Sequence, residues 1–288
     1  MTWLALILIL LAAIGHATWN LLAKRAGGGA VFVWLFGCVS TVVYLPVAVV
    51  VVIVDTPHIG AVEVTFIVGS AVLHAAYFLL LQRGYRAGDL SLVYPLARGS
   101  GPLLATAGAM AFLAERPTPV ALVGVAFVVL GIFGITGLTL KRDRLRSTQL
   151  TAVGFGLLTG CLIASYTLWD KYAVSSLLVP ALVLAWGSSF GRTLLVSPYA
   201  IGHWHDVCAV WHAQKPTAIA VGVLAPLSYL LILIALEFTP VSYVAPAREV
   251  SIVVGTVMGS HLLHEADAAR RLGASLIVLT GVAILAIG

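Results

Sequence analysis

The 288-residue sequence predicts an all-α integral membrane protein of ten transmembrane helices, arranged as two inverted five-helix repeats. Three observations lead there. Hydrophobic residues make up 61% of the chain and charged residues only 9%, with a mean hydropathy of +1.07; a soluble domain carries roughly 25% charged residues. So little charge cannot coat a surface in water, and lipid is the solvent that remains. The apolar runs are about 20 residues long, which suits helices and is twice what a barrel strand needs. In lipid those are the two structures that satisfy every backbone polar group. Finally, the second half of the chain echoes the first at a nearly constant offset.

The spans fall at 3–23, 30–54, 64–83, 90–114, 119–140, 150–170, 177–197, 216–236, 241–263 and 271–288. No basic stretch precedes the first apolar run, and it has a counterpart in mid-chain, so it reads as a mature helix rather than a cleaved leader. Gly27, Gly28 and Gly29 separate the first two spans, Arg116-Pro117-Thr118-Pro119 the fourth and fifth, and Thr239-Pro240 opens the ninth. The two longer connections, Lys141 to Gln149 and Pro198 to Lys215, leave no room for a soluble domain. The first repeat takes residues 1–140, a basic linker 141–149, and the second repeat 150–288. Cys38, Cys161 and Cys208 give no disulfide framework.

The formal charge of +5 does not point to nucleic acid, because the basic residues sit between apolar spans. Eleven Lys and Arg fall in odd-numbered loops: Lys24, Arg25, Arg83, Arg86, Lys141, Arg142, Arg144, Arg146, Lys215, Arg270 and Arg271. Two, Arg116 and Lys171, fall in even-numbered ones. The positive-inside rule then puts the odd loops in the cytoplasm and both termini outside, in an inner or plasma membrane.

The internal match runs along both halves. Ala17-Thr-Trp-Asn-Leu-Leu-Ala-Lys24 aligns with Ala164-Ser-Tyr-Thr-Leu-Trp-Asp-Lys171, Tyr77 with Tyr229, Arg98 with Arg248, Glu115 with Glu265 and Gly131 with Gly281. Five helices per half is an odd number, so the halves insert with opposite orientation. Inverted repeats place a substrate near the midplane and give one chain an inward-open and an outward-open state of similar energy.

These segments resemble the drug/metabolite transporter superfamily, specifically its EamA family, over essentially the whole chain. The resemblance is carried by Trp19-Asn20-Leu-Leu-Ala-Lys24, by Tyr85-Arg-Ala-Gly-Asp-Leu-Ser-Leu-Val-Tyr94-Pro-Leu-Ala-Arg98 with the following Gly-Ser-Gly-Pro102, and by Glu115, Gly124 and Gly131. In the second half it is carried by Pro240-Val-Ser-Tyr-Val-Ala-Pro-Ala-Arg248-Glu249, Glu265, Gly273 and Gly281. It implies ten helices, a central cavity and secondary transport, often efflux of amino acids or other metabolites. Many members keep both termini in the cytoplasm; the charge count here places them outside.

Charges inside spans are the sharpest site signal, since each costs at least about 2.5–3.5 kcal/mol at mid-helix. Arg98 sits about 12 Å along span four at 1.5 Å per residue, and Arg248 lies at a similar depth in span nine. Entering from opposite faces, the two would flank the midplane, one on each side, which suits an anionic substrate. Each can instead bond carbonyls freed near Pro95 or Pro246. Glu249 is the only acidic residue well inside a span; it either carries a coupling proton or forms a static ion pair with Arg98 or Arg248. As the helical neighbour of Arg248 it should point about 100° away from it. Arg192, five residues before Ser197, is expected to snorkel to the interface.

His16, Trp19 and Asn20 share one face of span one, and His74 and Tyr77 share one face of span three. With Tyr94, Tyr166 and Tyr229 they offer polar groups to a cavity or serve as helix contacts. Lys24 and Lys171 stand at span ends as anchors. The stretch from His203 to His212 holds His203, His205, Asp206, Cys208 and His212, but it meets no standard zinc spacing. Trp204 and Trp211 make it an amphipathic interfacial segment. Neither metal nor cofactor is expected.

There is no Walker A sequence, no Asp-rich pair and no His-Glu-x-x-His, so no enzyme is expected. Arg98, Arg192 and Arg248 against Glu249 leave the spans a net +2, three minus one. The expectation is a secondary transporter of an anionic or zwitterionic metabolite, such as an amino acid or a phosphorylated compound, working by alternating access. Its partners would be that solute, the bilayer and a coupling proton or ion, with no nucleic acid. The alternative is export of cationic or neutral compounds, and further off a membrane enzyme or accessory subunit.

Overall fold

A computed structural model describes residues 1–27, 29–87, 90–136, 147–263 and 268–288. All regular secondary structure among them is helical: α1 Trp3–Arg25, α2 Ala30–Asp55, α3 Ala61–Ala87, α4 Leu90–Phe112, α5 Pro119–Thr136, α6 Ser147–Ser175, α7 Ala181–Gly202, α8 Trp204–Phe238, α9 Val241–Ala247, α10 Val250–Leu263 and α11 Ala268–Ile287. Six described helices are long and apolar enough to cross a membrane, and Pro119–Gly134 and Gly273–Ile287 are shorter apolar helices. The surface agrees with a membrane protein. On α1, Leu4, Ile7, Leu11 and Ile14 are exposed, while Ala5, Ala12 and Ala13 are buried. Large apolar groups face out and small ones face in, the pattern of helices packed within lipid.

Four expected boundaries move. α6 continues through Asp170 and Lys171 to Ser175. It closes where the Val179 amide donates to the Ala173 carbonyl at 3.0 Å, with Leu178 at φ 54, a left-handed helix end. α7 begins four residues later than expected and runs through Pro198 to Gly202. The expected connection from Pro198 to Lys215 is therefore almost wholly helical, with non-helical geometry at Gln214 inside α8. Span nine is not continuous: α9 stops at Ala247 and α10 starts at Val250. The basic cluster Lys141 to Arg146 and Glu265 lie outside the described residues.

The chain forms two compact units. One comprises Met1–Leu10, Ala76–Leu168 and Thr239–Gly288; the other comprises Leu11–Ala75 and Trp169–Phe238. α1, α3 and α6 contribute residues to both.

Within the first unit, α5 and α11 approach to backbone contact. A Cβ on Gly124 would stand 2.8 Å from the Gly281 carbonyl oxygen, and one on Gly281 would stand 2.8 Å from the Gly124 carbonyl oxygen. A Cβ on Gly131 would stand 2.8 Å from the Val278 nitrogen and 3.0 Å from the Ala274 carbonyl oxygen. Without a hydrophobic drive between helices in lipid, such close approach is what holds two of them together. The same unit fastens the start of α9 through Glu115, just beyond α4. Its Oε1 accepts from the Val241 amide at 2.7 Å, and its Oε2 accepts from the Ser242 amide at 2.9 Å and the Ser242 hydroxyl at 2.7 Å. Pro240 at the helix start supplies no side-chain cap, so a distant carboxylate satisfies the orphan amides and meets the positive helix end.

In the second unit, α2, α7 and α8 pack around Phe32, Leu35, Phe36, Ala200, Ala218 and Val221. Pro226 lies inside α8 and leaves the carbonyl four residues earlier without its amide partner. That carbonyl belongs to Gly222, and the Ser40 hydroxyl of α2 donates to it at 2.8 Å. Tyr44 adds a hydrogen bond to the next carbonyl, Val223, at 2.7 Å. Neighbouring helices thus satisfy the backbone that proline frees, as lipid requires.

Glycine packing predicts opposite outcomes for two substitutions. Gly281→Ala forces a methyl against backbone and should destabilise by about 1–3 kcal/mol. Gly154→Ala in α6 meets nothing within 4 Å and should gain about 0.5–1 kcal/mol from helix propensity. Thermal melting of the two purified variants checks both signs.

Candidate functional site

The cost of charge in lipid singles out Arg98, Arg248 and Glu249, and within the first unit they gather at one point. Glu249 is fully buried and Arg98 is 8% exposed. The Arg98 guanidinium reaches Glu249 Oε2 at 2.9 Å, and Arg248 Nε stands 3.5 Å from Glu249 Oε1. Arg98 also donates to the Ser251 hydroxyl at 3.3 Å. The arginines therefore do not stand apart on two sides of a midplane; one carboxylate draws both together.

The helix break makes this possible. Pro246 lies one turn before it, and the Glu249, Ser251 and Ile252 amides bond three residues back, to Pro246, Arg248 and Glu249. The junction is tightened into three-residue turns, and Arg248 and Glu249 meet there although they are chain neighbours. The order of charges also fits the two helix ends. Arg248 follows the negative C-terminus of α9, and Glu249 precedes the positive N-terminus of α10.

Tyr166 completes this cluster. Its hydroxyl accepts from Arg248 at 3.3 Å, and its ring lies 5.6 Å from the guanidinium carbon. Tyr77 meets the Tyr166 ring edge-on at 5.8 Å. Two guanidiniums, Arg98 buried and Arg248 nearly so, against one carboxylate sum to +1, with the Tyr166 ring beside them.

A second polar cluster belongs to the other unit. Tyr229 of α8 donates a short hydrogen bond to Asp170 Oδ2 on α6, and Asp170 is fully buried. His74 of α3 contacts the Tyr229 ring edge-on at 5.1 Å. Its Nδ1 lies 2.8 Å from the Ser70 carbonyl oxygen; a carbonyl only accepts, so Nδ1 carries the hydrogen of that bond. Glu249 is thus not the only fully buried acidic residue of an expected span. Asp170 was missed because the adjacent Asp-Lys pair reads as a span end, whereas the helix continues past it. Lys171 is likewise no terminal anchor: its Nζ donates to the Leu236 carbonyl at 2.5 Å, in the last turn of α8.

Other expected residues take structural parts. The Asn20 amide donates to the His16 carbonyl of its own helix at 2.7 Å and is exposed. Trp19 packs against the α2, α7 and α8 core and meets His16 edge-on at 5.0 Å. Arg192 lies mid-helix in the longer α7 rather than near its end, 3.5 Å from the Ser189 hydroxyl and 5.9 Å above the Phe36 ring, so the snorkelling expectation fails. The Tyr94 side chain lies outside the described residues.

No protein-family model and no curated protein matches the chain. A crystal structure known in words only as that of a protein is similar over 98% of this chain and 96% of that one, with a TM-score of 0.79 and 13% identity. At that identity the likeness is one of fold.

The ion cluster predicts a non-additive mutant cycle. Glu249→Gln strands two buried guanidiniums and should cost about 3–5 kcal/mol. Adding Arg98→Gln removes one of them and should restore part of that loss, so the double variant melts above Glu249→Gln alone. Additive losses in thermal melting would mean that the charges do not act as a unit.

Proposed function

We propose that this chain is a secondary transporter of the EamA type within the drug/metabolite transporter superfamily. It would move an anionic or zwitterionic metabolite across the cell membrane by alternating access. The carrying observation is the net +1 of Arg98, Glu249 and Arg248, buried at a helix break. Broken helices whose ends face a solute are how transporters hold charge at membrane depth, and a buried ionisable group in a membrane helix marks a pathway. An anionic solute would complement the +1 sum of these three groups, and the Tyr166 hydroxyl stands beside them as an acceptor for Arg248.

The contacts of α5 and α11 support the inverted repeat. At the offset of 150, Gly131 corresponds to Gly281, Val128 to Val278 and Gly124 to Ala274. The close approach of Gly131 to Val278 is matched by that of Gly281 to Val128, 2.8 Å in both cases. Exchanged contacts of this kind define a self-complementary, two-fold interface. Together with the residues matched along both halves, this supports ten spans in two five-helix repeats, α9 and α10 making one broken span.

Binding is tested by a thermal-shift screen of pure protein against anionic, zwitterionic, cationic and neutral metabolites. Stabilisation by anionic or zwitterionic compounds is expected, lost in Arg98→Ala and Arg248→Ala, and the same compounds should exchange across proteoliposomes. Stabilisation by cations alone would shift the reading to an exporter of cationic compounds. The charge count sets the orientation. In a background lacking Cys38, Cys161 and Cys208, Leu178→Cys should react with an impermeant thiol reagent on intact cells, and Ala26→Cys should not. The opposite pattern would place both termini in the cytoplasm.

A further inference from the structure

Arg192 is the third arginine inside a span, and among the described residues no carboxylate pairs with it. It stands well inside α7, which runs from Ala181 to Gly202. At 1.5 Å per residue that is about 17 Å from the start and about 15 Å from the end. Its contacts all lie within the second unit. One terminal nitrogen is 3.5 Å from the Ser189 hydroxyl, the guanidinium carbon is 5.9 Å from the centre of the Phe36 ring, and the Tyr229 phenol is within electrostatic reach. The first distance is at the outer limit of a hydrogen bond, and the second at the outer limit of a cation–π contact. The Nε and the other terminal nitrogen have no hydrogen-bond partner among the described residues, and neither is sealed from solvent.

Arginine keeps its charge in a protein, and its planar fork of donors matches an acceptor with two oxygens. A fixed charge this far inside an apolar helix, with weak contacts and open donors, marks a place for an anion. We propose that Arg192 is an anion-binding residue of the second unit, in addition to the charge set of the first. Its fork takes the carboxylate or phosphate group of a small solute, and the Phe36 ring backs the guanidinium. Anion binding stands whether or not the chain is a transporter; that the bound anion is a moved solute rests on that reading. A lipid headgroup has the same phosphate chemistry, but with α7 as a span Arg192 lies far from either headgroup layer of a bilayer core about 30 Å thick.

The test reads Arg192 itself. Protein labelled with nitrogen-15 in its arginines, in neutral detergent and a zwitterionic buffer, is titrated with sodium phosphate or sodium acetate. Sodium chloride at matched ionic strength controls for screening. The Arg192 Nε–H resonance is assigned by its absence in Arg192→Lys, which keeps the charge and loses the fork. It should shift and saturate with phosphate or acetate, and move less with chloride. Micellar anionic phospholipid should leave it in place. Arg192→Met keeps the length and removes the charge. It should melt above the wild type before any anion is added, and lose part of the rise in melting temperature that anions give the wild type by binding the folded state. An unmoved resonance, or an Arg192→Met variant that melts lower or fails to fold, would show that the protein already satisfies the guanidinium and overturn the proposal. Movement with the phospholipid alone would overturn the solute assignment. Failure of the transporter reading shows elsewhere, as the absence of any solute flux in proteoliposomes.

Discussion

A carboxylate with no exposure, set at the break between two apolar helices, must have its counter-charge built in. Glu249 has two, Arg98 and Arg248, and much of the first unit follows from that requirement. The cost of a bare buried charge is several kcal/mol, comparable with a domain's whole stability. Arg98 on α4 must therefore reach the junction between α9 and α10, and the break must lie where the two helix ends favour the charges beside them. Glu115 fixes the other end of α9 by capping Val241 and Ser242. The α4 segment thus holds α9 at both ends, with one residue of each sign, and a helix of only seven residues keeps its place.

Elsewhere shape and backbone satisfaction take over from charge. In lipid, burying a leucine gains nothing over leaving it exposed, so contact has to come from close approach. Gly124 and Gly281 supply it between α5 and α11, and Gly222 lets α2 lie against α8, where an added Cβ would stand 2.7 Å from Val39 and 2.9 Å from the Phe36 carbonyl oxygen. Ser40 turns that proximity into a hydrogen bond at the carbonyl that Pro226 frees. The proline, the glycine four residues before it and the serine opposite form one device, and none of the three makes sense alone.

What the sequence made legible followed from cost. The helices and the three residues of the ion cluster stand out because charge in an apolar run is expensive wherever it sits. The departures share one cause: a charge or proline in an apolar run need not end the helix. α6 carries Asp170 and Lys171 through because Tyr229 and the Leu236 carbonyl receive them. α7 passes Pro198, and its Arg192 is housed by Phe36 and Ser189. Partners on other helices decide such cases, and they are invisible along a single chain. Asn20 differs: it looks like a cavity amide, but it is exposed and one of its N–H groups bonds its own helix backbone. The break at Arg248 and Glu249 was hidden because Pro246 alone does not say whether a helix kinks or stops.

The asymmetry of the ion cluster bears on the proposed function. At an offset of 150 residues Arg98 aligns with Arg248, whereas Glu249 aligns with Gly99. A second carboxylate there would have neutralised the set. A Cβ at Gly99 would stand 2.9 Å from the Phe133 ring, so packing alone disfavours an acid at that position. One carboxylate against two guanidiniums is enough to keep the arginines buried and together, and too little to cancel them. On the transporter reading, the solute is then the second counter-charge, present in the loaded state and absent in the empty one. A site made neutral by the protein itself would have no electrostatic preference between those states. One left at +1 favours the loaded state, and the neighbouring positive end of α10 adds to that preference.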